Sequence, residues 1–234
     1  GKPLLLIDIH VQATYNFDPD AIQAMTVVVR QQQFNILKQW ILTIFSKFHV
    51  KRQDMFVMCG DFNMDALYMN KPIKEYIKSV SVEGVKEGSA DLIKLRESEN
   101  LYSFFINFMM MNNDKFELEN VYYNQHNEFP ITYGELHLDS KNNRVQEETY
   151  LTDEEEFFNL EALDYIFVIK PTAKYSKSIK DTSGKNPRVY NQKESRIKMV
   201  PKSSKIEKFK HKIEGTPVTQ LSDHFGISCR IQIE

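Results

Sequence analysis

A chain of 234 residues with 41% hydrophobic and 12% aromatic side chains has enough apolar material for a sizeable core, which excludes a low-complexity polymer and predicts one globular domain over 1–234. The net charge of −2 hides an uneven spread: 14 of the 30 Lys and Arg fall between Lys170 and Lys212 beside only three acids, so the remainder is acidic. No apolar run approaches the roughly 20 residues that a membrane-spanning helix needs, and Cys59 and Cys229, each inside an apolar run, point to buried thiols in a reducing, intracellular compartment.

Residues 3–9 form a short apolar run, the pattern of a buried strand that delivers His10 at its end and too short for a signal-peptide core. Between Ala24 and Phe48, the residues Val28, Phe34, Leu37, Ile41, Ile44 and Phe48 recur largely at spacings of three and four, with Arg30, Gln32, Gln33 and Lys38 between them. That spacing predicts an amphipathic helix. Met55 to Cys59 predicts a second buried strand, cut off by Gly60, so that Asp61 and Asn63 emerge at its tip. Residues 71–111 predict mostly helix, with Pro72 in a first turn and Met109, Met110 and Met111 filling core. The acidic, Asn-rich stretches 112–128 and 139–161 predict long loops. Leu163 to Ile169 predicts a strand, stopped by Pro171, that carries Asp164 in an otherwise apolar run. The basic stretch 170–212 predicts an insertion loop around one strand near Arg196 to Val200, and Phe225 to Ile233 closes the chain as one alternating strand.

Four polar groups therefore sit at strand ends: His10, Asp61 with Asn63, Asp164, and Asp223 with His224. Each has a plain structural explanation on its own. His10 suits an ordinary hydrogen-bonded histidine, Gly60-Asp61-Phe62-Asn63 an Asx turn, and Ser222-Asp223-His224 a cap or turn. Asp164 is harder to dismiss, because an acid inside an apolar strand needs a partner or a metal. Together they describe hydrolytic chemistry: oxygen ligands of this type suit Mg²⁺, and a histidine paired with a carboxylate can take a proton from water near neutral pH.

The order Ile9-His10-Val11-Gln12-Ala13, Gly60-Asp61-Phe62-Asn63, Leu163-Asp164-Tyr165-Ile166-Phe167-Val168 and Leu221-Ser222-Asp223-His224-Phe225-Gly226 resembles the endonuclease/exonuclease/phosphatase superfamily. The third string is most similar to the neutral sphingomyelinases. The resemblance implies a four-layer α/β/β/α sandwich of the DNase I-like type, of which this chain is the C-terminal portion. It implies His224 as general base, Asp164 as its orienting carboxylate, and Asp61 as a phosphate or metal ligand. Asn63 becomes a hydrogen-bond donor to a phosphoryl oxygen, His10 the second histidine at the transition state, and Asp223 a residue on the metal side. Family members also carry an earlier strand ending in Asn and a Glu that is the principal magnesium ligand, and no residue here fills either role. The expectation is a Mg²⁺-dependent phosphodiesterase whose sheet is completed by upstream chain or by a protein partner.

Two readings compete with a sphingomyelinase-like enzyme. A non-catalytic subunit could use a partial phosphodiesterase fold as a scaffold, and the same superfamily fold could serve a nuclease or an inositol-phosphate phosphatase. The lysines of 170–212 suit an anionic membrane surface or a solvated loop. Tyr175, Tyr190 and Phe209 interleave with them too sparsely for a base-stacking platform, which argues against nucleic acid.

Overall fold

The computed structural model describes residues 4–13, 21–48, 55–70, 101–134, 136–146, 151, 160–182, 197–210, 214–215, 220 and 222–233. In chain order these form β1 (Leu4–His10), α1 (Ala21–Phe48), β2 (Met55–Asp61), α2 (residues 101–110), β3 (Phe116–Asn120), α3 (Val121–His126), β4 (Leu136–Leu138) and β5 (Arg144–Gln146). Then follow β6 (Asp164–Pro171), α4 (Ala173–Thr182), β7 (Ile197–Met199), β8 (Lys205–Glu207), β9 (Gly226–Ser228) and β10 (Ile231–Ile233). The helix expected over 71–111 is described only at its end, since residues 71–100 lie outside the described residues.

Tyr165 to Ile169 are all buried, which an unbroken apolar run allows and an alternating one would not, and this puts β6 inside the sheet. The strand order is β1-β2-β6-β3, with β1 parallel to β2 and β6 antiparallel to both β2 and β3. One face, with Phe56, Met58, Phe167 and Ile169, packs on Phe34, Ile41 and Phe45 of α1 and on Leu101, Phe105 and Met109 of α2. The other face, with Val57, Ile166 and Val168, packs on Met199, Ile227 and Ile231 from the antiparallel pairs β7–β10 and β8–β9. Helices, a central sheet and a second strand layer give the α/β class that the resemblance implies, and these are three layers among the described residues. Cys59 and Cys229 are half-buried free thiols against that second layer.

The buried face of α1 differs from the expected stripe. It runs Arg30, Phe34, Lys38, Ile41, Phe45, while Val28 is 50% exposed. The two cations belong there because each serves carbonyl oxygens at a chain reversal: Lys38 Nζ donates to Met111 O at 2.7 Å and to Phe108 O, and Arg30 Nη1 donates to Asn63 O. Of the methionine triplet only Met109 is core, since α2 ends at 110 and leaves Met111 at 55% exposure.

The stretches 112–128 and 139–161 hold more than loop. β3 forms by pairing with β6, and the asparagines that suggested irregular chain are caps: Asn120 Oδ1 accepts from Tyr123 N–H at the start of α3, and Asn127, at φ 58, ends it. The second stretch contains β5, paired with β4. Within 170–212, β7 stands where expected, but α4 and β8 add regular structure, and Lys170, Lys174 and Lys205 pair with Glu119, Asp114 and Glu207. The closing strand is two strands, because the chain leaves one pair at Cys229 and Arg230 to join another; Val200 N–H donates to Arg230 O at 2.9 Å.

Candidate active site

Strand pairing alone aligns three of the residues singled out in the sequence. His10 lies opposite Asp61 in the β1–β2 register, and Asp61 lies opposite Asp164 in the β2–β6 register, so the three form one rung across the sheet. Residues opposite each other project to the same side. His10 Nε2 stands 3.6 Å from Asp61 Oδ2, with the His10 side chain 78% exposed and that of Asp61 18%.

Gly60 permits this rung. At φ +129 it lies so close to β1 that an added Cβ would stand 2.0 Å from the Ile9 carbonyl oxygen. Just after it, Asn63 takes a left-handed φ of 48, and its backbone N–H donates to Asp61 Oδ1 at 2.8 Å. Its side-chain Nδ2 donates to Asp61 Oδ2 at 2.9 Å and to Val11 O at 2.8 Å. Both amide hydrogens of Asn63 are thus engaged within the protein.

His224 arrives from the second layer, just before β9. Its Nδ1 lies 2.9 Å from Asp164 Oδ2, its backbone N–H donates to Ser222 Oγ at 3.1 Å, and the Tyr133 ring meets it at 5.1 Å between centroids. Buried Thr132 joins the two layers. Its hydroxyl oxygen accepts from the N–H groups of Leu163 (2.9 Å) and Asp164 (3.0 Å), and its carbonyl accepts from Phe225 N–H (2.6 Å). Asp65 and Tyr165 brace the same region: Asp65 Oδ1 accepts from Leu67 and Ala162 N–H, each at 2.8 Å, and the Tyr165 hydroxyl donates to Met64 O at 2.6 Å.

The carboxylates of Asp61 and Asp164 and the His224 ring offer ligand atoms all within 4.8 Å of one another. Two carboxylates on one side of an imidazole suit a small, oxygen-coordinated divalent cation, particularly as His224 Nδ1 is already committed to Asp164. Asp223 lies outside that group; its Oδ1 accepts from Ser222 Oγ at 3.4 Å, and it reaches His224 through its field.

Burial raises the Asp61 carboxyl above its ordinary value. The Asn63 N–H opposes that shift, the Asp164 charge adds to it, and the two histidines oppose it. For His224, burial pulls downward, yet the hydrogen bond and charge of Asp164, with Asp61 and Asp223, hold the imidazole up at about 9. The electrostatics of the cluster thus call for positive charge beside the carboxylates.

His10, Asp61, Asn63, Asp164, Asp223 and His224 all fall at this end of the sheet, while Thr132, Tyr133, Asp65 and Arg30 escape sequence reasoning. Thr132 sits in an unremarkable stretch, and only the backbone groups it serves reveal it. Arg30 carries a signal that could be read: a cation on the apolar face of a helix needs an acceptor.

No protein-family model matches the chain. A sphingomyelinase of Dictyostelium discoideum is 33% identical over 112 residues, which is 45% of this chain and 24% of that protein. The chain therefore spans about a quarter of the length of this curated relative. Among solved structures, truncated Caenorhabditis elegans TDP2 superposes with a TM-score of 0.44 at 11% identity, covering 100% of this chain and 56% of that one. Over the matched 112 residues this chain is thus similar in sequence to a sphingomyelinase, in keeping with the resemblance that the motif order from His10 to His224 carries.

Proposed function

We propose that this chain carries catalytic residues of a magnesium-dependent phosphodiesterase that hydrolyses a phospholipid headgroup, with sphingomyelin as the first substrate to test. The observation that carries the reading is the hydrogen-bonded Asp164–His224 pair facing Asp61 across one rung of the sheet; the sphingomyelinase likeness supports the substrate class.

Asp164 holds His224 Nδ1, which leaves Nε2 as the ring nitrogen that takes the proton of the attacking water. The same carboxylate stabilises the imidazolium that results and fixes the ring's orientation. Asp61 and Asp164 would hold the metal, with Asp223 on the same side as a further negative charge. When bound, magnesium supplies positive charge that neutralises phosphoryl oxygens and favours the neutral form of His224. His10, exposed at the far end of the rung, would meet the substrate phosphate, and Asn63 would donate to it by exchanging its Nδ2–H bond from Asp61 to a phosphoryl oxygen. A lipid substrate makes a membrane surface the partner, with the lysines of 170–212 the residues assigned to it.

The test is phosphocholine release from sphingomyelin vesicles by the complete protein, with and without MgCl₂. His224→Ala should lower kcat by about 10²–10⁴ while circular dichroism stays unchanged; undiminished turnover sinks the proposal. Single-stranded DNA, RNA and inositol polyphosphates belong in the same panel, and preferential cleavage of one of them would move the chain to another branch of the superfamily.

A further inference from the structure

Helix α1 reaches the active site with two polar side chains one turn apart. Arg30, only 6% exposed, donates from Nη1 to the carbonyl oxygen of Asn63, in the loop after β2. Three residues on, Gln33 Oε1 accepts from the backbone N–H of Gln12 at 3.1 Å, in the loop after β1. Positions i and i+3 share a helix face, so a single helical surface grips both loops that follow the rung's strands.

Asn63 makes this grip matter. Both oxygens of the Asp61 carboxylate are bonded to Asn63, one to its backbone N–H and one to its side-chain amide. The amide is in turn tied to Val11 O, and Val11 N–H donates to Asp61 O at 3.0 Å. Asn63 itself stands at a left-handed φ of 48. A residue other than glycine holds such a backbone conformation only when its surroundings over-determine it. Arg30 holds the carbonyl on the other side of the Asn63 Cα from that backbone N–H, so the guanidinium helps to fix the residue that fixes the carboxylate.

We infer that Arg30 is a positioning residue for Asp61, acting through the Asn63 peptide, and that it sets the metal affinity of the site. The inference rests on the reading of Asp61 as a metal-side carboxylate. Groups that orient a metal ligand typically change affinity by about 10–100-fold when removed. A second buried cation on the same helix provides the comparison: Lys38 also donates to backbone carbonyls, those of Phe108 and Met111, but at a chain reversal with no link to the rung.

The experiment is calorimetric titration of the complete protein with MnCl₂ and MgCl₂, metal alone, alongside thermal unfolding in the metal-free state. Arg30→Met should weaken metal binding by about 10–100-fold, and Arg30→Lys, which keeps the charge and is the variant better suited to fold, should recover part of it. Lys38→Met should lower the unfolding temperature and leave metal affinity within about twofold. Folded Arg30 variants with wild-type affinity would overturn the inference, as would a Lys38→Met protein that loses metal equally. A wild-type protein that binds neither ion would overturn the metal reading itself, and this inference with it.

Discussion

At the scale of single residues, the site is a set of charges held closer than they would choose. Asp61 and Asp164 face each other across paired strands, and like charges so placed repel. His224, held up at about 9, offsets them as an imidazolium at neutral pH in the metal-free protein. The sign follows from that elevation. The Asp164–His224 pair adds stability that is complete below the ordinary imidazole value of 6.5 and is lost as pH rises through about 9. Proton NMR titration of the metal-free protein should place His224 near 9, well below that in Asp164→Asn, and between the two in Asp223→Asn. An ordinary histidine titration in the wild type would remove the basis for this pairing. Thr132 is the other residue on which much depends. Thr132→Val strips the acceptor from two N–H groups, the buried one of Leu163 and the half-buried one of Asp164. It should cost about 2–4 kcal/mol, seen as a lower urea midpoint with an unchanged slope.

At the scale of elements, each strand that serves the site ends or begins at the rung. β1 and β2 end there and β6 starts there, which is what an antiparallel partner beside a parallel pair produces. α1, β2 and β6 were legible in the sequence because each buries a continuous or helically spaced apolar set; β1 was legible from its apolar run, but the expected burial fails there, since only Ile7 of it is buried, and three of the four strand-end motifs follow from β1, β2 and β6. β3 was not legible, because Phe116-Glu117-Leu118-Glu119-Asn120 becomes a strand only beside β6, some fifty residues away, where Glu119 forms an ion pair with Lys170. Nor was α3, whose capping asparagines look like loop residues until the helix between them is seen. The row of His10, Asp61 and Asp164 needs the register, which sequence periodicity does not contain. Gly60 connects strand to site: Gly60→Ala drives a Cβ into the Ile9 carbonyl and parts β1 from β2 where the rung forms. It should cost at least about 3 kcal/mol and abolish activity even in whatever fraction remains folded, as measured by denaturant titration and turnover per folded molecule.

At the scale of the whole molecule, β1 is paired on one side only among the described residues, and two of its leucines are exposed, Leu4 at 42% and Leu6 at 64%. A strand edge of this kind is a template for association. The 234-residue polypeptide on its own should therefore self-associate, and Leu6→Lys should reduce its light scattering without changing its circular dichroism; equal scattering would show that the edge is not the route. The rung and its fourth member are also held by different means. His10, Asp61 and Asp164 hang on the backbone ladder of one sheet, whereas His224 belongs to the other layer and meets them through Thr132, Tyr133 and its own bond to Asp164. On warming, the layers can part along this seam while every strand of the central sheet is still paired. The chemistry would then be the first property lost and the secondary structure the last, so a loss of turnover would report that the layers had parted and not that the chain had unfolded.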